Sequence, residues 1–484
     1  MRTFIANFTS LVAGNVLALA TNFVFSILLV QRLSPTEYGL QSAIVAFASI
    51  IVGFADLGLL DVGTRDLARQ SHDEQRVSYS SLLTLQLAVS GAVCLVAVVA
   101  ARLMNSFPGD NFPIFLLGIF TLVLSYAPII PTEALLTVRG KVRRVAVLQS
   151  FYAVGTIALG APILLTGGGI GLIYVALSLL SVVSIVLYMA QANGLLSGGF
   201  RLTLSRARWT YYLRQGLPVG LAATLFSSCL RLGTYLVFAF GGEKEAGYLG
   251  VANLLIQAVM SIVWVPYVIN IFPIMARLHV SSPEQLKWLG GRSVTWLAAI
   301  ILPITVGATL LAPELVEILS AAQVAAAPVV RVLIWALPLS VVSTFLYRML
   351  LVFSRQKTYL AAAAVGAVSN LLLCLVLIPR LGAIGAAIAS LFGLSCVLLI
   401  ALWSVRAWLF ASLRVFDALR IALGVAAMVV VVEWASPLPV VIRIGIGAVV
   451  YAILVVTSRL VTSTDWHQFR LLQAGASTAS AAQK

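Results

Sequence analysis

The chain has 484 residues and a formal net charge of +15, with 61% hydrophobic and only 10% charged residues. A soluble domain carries about 25% charged residues, so too few are present to clothe a water-facing surface of this size. The basic excess would suit nucleic acid, but its distribution along the chain excludes that partner.

A helix needs roughly 20 apolar residues to cross the hydrocarbon core. Stretches of that kind lie at about 8–31, 40–62, 78–101, 112–136, 145–167, 170–192, 212–238, 247–272, 292–312, 326–352, 358–379, 383–405, 417–434 and 438–458. Backbone groups in lipid must bond within their own segment, and the alternation of a barrel is absent, so each stretch is predicted to be a helix. The predicted fold is all-α: a polytopic membrane protein of about 14 transmembrane helices. Met1-Arg2 lead into a first stretch that outruns a signal h-region and shows no small-x-small cleavage site, so it is expected to be retained.

With the N-terminus in the cytoplasm, 24 of the lysines and arginines fall in inside segments, Arg292 and His-flanking Arg277 among them, against six outside, including Arg443. Arg231 alone remains within a span. That bias is the positive-inside rule. It places both termini in the cytoplasm and makes the basic charge topological. Cys94, Cys229, Cys374 and Cys396 lie in spans as small apolar residues, unspaced for metal.

The chain repeats itself. Glu37-Tyr38-Gly39 opens the second span and Ala68-Arg69 follows it, and Glu245-Ala246-Gly247 and Ala276-Arg277 do the same for the eighth. Lys141 to Gly171 and Arg355 to Gly385 form a second matching register. The implied organisation is a six-helix bundle (1–192), a basic cytoplasmic linker (193–211), a second six-helix bundle (212–408), two extra helices (409–461) and a tail (462–484) whose last residues, from 471, read as disordered. Parallel repeats about an axis along the membrane normal are a transporter architecture, with the substrate path between the bundles.

Asn370 to Ala387, with Ile378-Pro379-Arg380-Leu381-Gly382 at its centre, resembles the eleventh-to-twelfth span junction of polysaccharide flippases of the multidrug/oligosaccharidyl-lipid/polysaccharide exporter superfamily. Leu33-Ser34-Pro35-Thr36-Glu37-Tyr38-Gly39 resembles that family's first loop, and Phe54-Ala55-Asp56-Leu57-Gly58-Leu59 the end of its second span. The resemblance covers nearly the whole chain. It implies a flippase moving an undecaprenyl-diphosphate-linked oligosaccharide across a bacterial cytoplasmic membrane by alternating access. The product would feed O-antigen, capsule or exopolysaccharide assembly, with a polysaccharide polymerase as partner. Physically, Pro379 ends one helix, Gly382 permits the turn, and Gly385, Ala389 and Gly393 line one face of the next for close packing.

No G-x-x-x-x-G-K-[ST] loop occurs, so no nucleotide engine and no cofactor is expected. His72, His279 and His467 read as solvated loop histidines without ligand spacing. Ionisable groups inside spans are costly and face cavities. Arg231, deep in span seven, is placed to grip the diphosphate or an acidic sugar bidentately, or else to hold a structural ion pair. Asp56 and Glu133, the latter after Pro128 and Pro131, are candidates for coupling to H+ or Na+, or for ion pairs such as Asp56 with Arg65 or Glu133 with Arg231. Arg65 and Arg348 flank the cytoplasmic mouth, either guiding an anionic head group or serving as positive-inside anchors. Asn22 and Asn370, with Asn15, Asn253, Asn270, Gln86, Gln149 and Gln257, supply neutral donors and acceptors for sugar or for helix contacts. Trp264, Trp296, Trp335, Trp403 and Trp408 lie near span ends or cores and read mostly as interfacial anchors, or as faces on which a sugar ring could stack. The rivals are a lipid II flippase, a drug or cation antiporter, and, from another class, a membrane polymerase or glycosyltransferase. Short outer loops speak against the last.

Overall fold

The computed structural model describes residues 2–465 apart from 104–106, 108, 197–198, 200–202, 354, 410–414, 459 and 461–464, and not the side chains of 2–16, 219, 264–266, 268–270, 273, 276, 280 and 415. Among the described residues all regular structure is helical. The first half holds α1 (Arg2–Arg32), α2 (Pro35–Asp56), α3 (Leu59–Leu67), α4 (His72–Leu103), α5 (Asn111–Ile119), a π turn (Phe120–Leu124), α6 (Tyr126–Val138), α7 (Val142–Leu165) and α8 (Ile170–Leu195). The second holds α9 (Arg206–Gly241), α10 (Glu243–Ser281), α11 (Pro283–Leu310), α12 (Ala312–Leu319), a 3₁₀ turn (Ala321–Ala326), α13 (Ala327–Leu333), α14 (Ala336–Val352) and α15 (Gln356–Leu409). The last of the described helices are α16 (Val415–Trp434) and α17 (Val440–Thr457).

Ten of the described helices are long and apolar enough to cross a membrane, or eleven if the bent pair over 321–352 is one span. The expected fourteen is not reached by that measure. Helix α1 is described as an apolar helix only over Leu17–Arg32. Helix α16 carries Asp417, Arg420 and Glu433. The 54 residues of α15 hold two of the expected stretches, broken at Gly382 with φ 55° and ψ −132°. At about 1.5 Å per residue, α15 would be far longer than one bilayer crossing. Instead it folds back: a Cβ on Gly366 would lie 2.7 Å from the Gly393 carbonyl oxygen. The turn and small-residue face expected at Pro379, Gly382, Gly385, Ala389 and Gly393 are therefore present.

Local sequence explains the other breaks. Ser34 and Glu37 form a reciprocal capping box that starts α2, Glu37 N–H donating to Ser34 Oγ at 3.3 Å and Ser34 N–H to Glu37 Oε2 at 3.1 Å. The predicted second span is split: Leu57 sits at φ 45° and Gly58 at φ 72° between α2 and α3. A left-handed leucine costs roughly 1–2 kcal/mol, and packing holds it there, since Gly216 and Gly220 of α9 lie directly against the Leu57 backbone. Gly220→Leu is expected to overpack this crossing and destabilise the protein by about 1–3 kcal/mol. Thermal unfolding in detergent checks this, and an unchanged midpoint sinks it. In the predicted fourth span a π turn precedes Pro128 and Pro131, with Ser125 N–H reaching back five residues to Phe120 O at 3.0 Å.

Packing recurs between the halves. Helix α1 lies on α7 as α9 lies on α15, and α3 meets α6 as α10 meets α13 and α14. Across the halves, α2 packs on both α9 and α10. The repeat-related glycines meet: a Cβ on Gly247 would stand 3.4 Å from the Gly39 amide nitrogen.

Several charges expected at water-facing positions are buried. Arg292, expected in an inside segment, is 2% exposed within α11. Its guanidinium donates to Asp417 at 2.5 Å, Asp465 at 2.5 Å and the Leu460 carbonyl at 2.7 Å. Arg443, expected outside, is buried in α17 and pairs with Glu314 at 2.9 Å. His279 is not in a loop but in the last turn of the 39-residue α10, edge-on to Phe353. The four cysteines are free, three of them buried. Among the described residues no group of three or more metal-ligating side chains forms. Asn15, Asn270, Trp264, His467 and the tail from 471 fall outside the described side chains or residues.

Candidate functional site

The site is built where α1, α2, α9 and α10 converge. On α2, Tyr38, Gln41, Ser42 and Val45 follow helical spacing, so they share one face. On α10, Gly250, Asn253 and Gln257 do the same. With Ser26 of α1 and Arg231 and Thr234 of α9 they line a polar cavity of about 110 Å³. Small residues permit this close approach: a Cβ on Gly250 would collide with the Ser42 hydroxyl.

Arg231 is the single charge in that lining. Its Nη2 donates to Gln257 Oε1 at 2.9 Å, and Asn253 Nδ2 donates to Thr234 Oγ1 at 3.2 Å. Among the described residues Arg231 forms no ion pair. A guanidinium has five donors, so most of its fork is left for an oxyanion. Holding an arginine within a membrane span costs about 2.5–3.5 kcal/mol on insertion scales, and no acid among the described residues pairs with it to offset that.

The other candidates are placed elsewhere. Glu133 accepts from Gln149 Nε2 at 3.0 Å and from Tyr188 OH at 2.9 Å, within α6, α7 and α8. It does not pair with Arg231. Its described hydrogen-bond partners are neutral. Asp56 faces the amides of Gly58 and Leu60 at the start of α3, and one carboxylate oxygen is buried without a partner. Arg65 pairs with the adjacent Asp66 at 3.0 Å rather than with Asp56, and reaches Tyr211 OH of α9 at 3.4 Å. Arg348 stacks over Phe272 at 5.3 Å and Tyr347 at 5.7 Å. Asn22 is exposed on α1. Asn370 is 0% exposed and donates to the Cys229 carbonyl at 3.3 Å, a contact between α15 and α9. None of Asn22, Asn370, Arg65 and Arg348 lines the Arg231 cavity. Tyr38, Gln41, Ser42 and Thr234 were missed; polar residues at helical spacing on α2, two of them facing Gly250 of α10, were the available signal.

A second, apolar cavity of about 1120 Å³ lies between α10, α11, α16 and α17, lined by residues such as Val259, Ile304, Met428, Gly447, Ala448 and Val455. It exceeds the usual 300–1,000 Å³ of a small-molecule pocket. Trp296 lines it, whereas Trp403 is 70% exposed with Arg406 over its ring at 3.7 Å.

The family described as "Polysaccharide biosynthesis protein" matches residues 28–327. No curated protein matches the chain. Among solved structures, a lipid II flippase MurJ in an inward closed conformation is similar at TM-score 0.71 and 15% identity, over 94% of this chain and 99% of that one. An inward-facing multidrug resistance MATE family transporter of the MOP superfamily is similar at TM-score 0.63 and 17% identity, over 80% and 94%. At these identities the likeness is one of fold, and both folds belong to membrane transporters rather than enzymes.

Proposed function

The chain belongs to the polysaccharide biosynthesis protein family, and from that premise we propose that it is a flippase for an undecaprenyl-diphosphate-linked oligosaccharide. The observation that carries this reading is Arg231, a membrane-embedded cation with no acid partner among the described residues, in a polar cavity between the two halves. A diphosphate supplies the missing counter-charge, and Asn253, Gln257, Thr234 and Gln41 supply donors and acceptors for sugar hydroxyls. The apolar cavity walled by α16 and α17 suits the polyprenyl tail. A drug cation finds no carboxylate in the lining of either cavity.

A cavity of about 110 Å³ is too small for an oligosaccharide, so cargo passage requires the halves to part. The recurring packing and the meeting of Gly39 with Gly247 support two bundles, 1–192 and 212–408, rocking about an axis near that contact. In this reading Glu133 and Asp56 are the groups through which H+ or Na+ drives the cycle. The membrane is the bacterial cytoplasmic membrane, both termini face the cytoplasm, and a polymerase takes the product.

Purified protein in vesicles tests the reading directly. A fluorescent polyprenyl-diphosphate oligosaccharide placed in one leaflet should equilibrate to the other and become accessible to a membrane-impermeant quencher. Retention in its original leaflet refutes flipping. Ala448→Trp, which fills the apolar cavity, should slow that movement at least about tenfold, the scale of one strongly overpacked contact. An unaltered rate would remove the cavity from the path.

A further inference from the structure

A third cavity, of about 540 Å³, is separate from the Arg231 site and lies at the start of α7. Lys141, Arg143 and Arg144 line it together with Gly140, Val147, Leu148 and Gln191 of α8. We propose that this cavity binds the phosphate-bearing headgroup of an anionic phospholipid. Three observations carry the assignment. First, three cations converge on one concavity, and none of them has an acidic partner among the described ion pairs. Second, one cation is held in place: Arg144 Nη1 donates to Gln191 Oε1 at 2.7 Å, so its fork is oriented before a ligand arrives. Third, the wall next to the cations is apolar. Val147 is 59% exposed one turn along α7, and Leu148 packs beside it.

A simple topological anchor needs only a positive charge in water near the membrane surface. It needs neither a shared cavity nor an arginine fixed by a second helix. A lipid needs both features seen here, a cationic pocket for the phosphate and an adjoining apolar strip for the glycerol and upper acyl chain. Basic pockets between helices at the membrane surface take anionic headgroups in this manner. A soluble phosphate would use the cations and leave the apolar strip in contact with water, so the lipid is the occupant the geometry favours.

The test uses full-length protein in detergent, mixed with phosphatidylglycerol or with phosphatidylcholine of the same acyl chains. Bound lipid is counted by native mass spectrometry, with and without excess inorganic phosphate. The wild type should prefer phosphatidylglycerol. The Lys141→Gln, Arg143→Gln, Arg144→Gln triple variant should lose that preference by on the order of 100-fold and keep its thermal midpoint, since all three residues are exposed. The pair Arg355→Gln and Lys357→Gln, which removes exposed charge elsewhere, should retain it. Equal binding of the two lipids, or a triple variant that binds as the wild type does, overturns the proposal. So does a loss as large in the control pair, which would make the effect one of net charge. Displacement of the lipid by inorganic phosphate overturns it as well, reassigning the cavity to a soluble phosphate ester.

Discussion

Arg231→Ala is expected to slow translocation of the lipid-linked oligosaccharide by about 100-fold or more while leaving the protein folded, and slightly more stable. Removing one partner of a desolvated charge pair costs about 2–5 kcal/mol, and each 1.36 kcal/mol is a factor of ten in rate. The opposite sign in stability follows from the cavity. Arg231 hydrogen bonds to Gln257 and has no acid partner among the described residues, so the folded protein carries the cost of a half-buried, uncompensated cation that alanine removes. Arg231→Lys retains the charge but loses the planar fork that matches a diphosphate, and an intermediate rate is expected. Rates come from the vesicle assay and stability from thermal unfolding. An alanine variant that flips normally, or that loses stability along with activity, would make Arg231 a structural residue.

Arg292 is expected to behave in reverse. It sits among Asp417 of α16, Asp465 and the Leu460 carbonyl, nearly sealed from solvent, and thereby ties α11 to the C-terminal helices. Arg420 adds a bond to Asp417 at 3.1 Å. Breaking a buried pair from one side strands the remaining charge and costs about 3–5 kcal/mol. Arg292→Ala and Asp417→Asn should each destabilise on that scale. Arg292→Met combined with Asp417→Leu and Asp465→Leu should recover most of the loss, because apolar replacement of a whole buried cluster is often neutral or stabilising. Unfolding midpoints of the three proteins decide it, and an unaffected Arg292→Ala variant would contradict the packing described.

These two arginines show what a reading of residues alone can reach. Arg231 stands out because no other charge lies within a full helical stretch around it, so its place inside a span is written in the local sequence. Arg292 stands near the edge of an apolar stretch, as a topological arginine does. Its carboxylate partners lie 125 and 173 residues away, and nothing local marks it as buried. The turn at Gly382 was legible because proline and glycine constrain the backbone locally. The break at Leu57 was not, because a leucine forced to positive φ is held by Gly216 and Gly220 of a helix far along the chain. Asn370 illustrates the same limit. A polar residue in a span can face a path or bridge helices, and the Cys229 carbonyl that Asn370 meets lies 141 residues away.

The most direct measurement is the leaflet in which lipid-linked oligosaccharide resides in cells depleted of this protein, with wild type or Arg231→Ala restored. Cargo confined to the cytoplasmic leaflet, released by the wild type and not by the variant, is the outcome this account requires. Cargo reaching the outer leaflet in depleted cells, with repeat units left unextended there, would place the protein after translocation and contradict it.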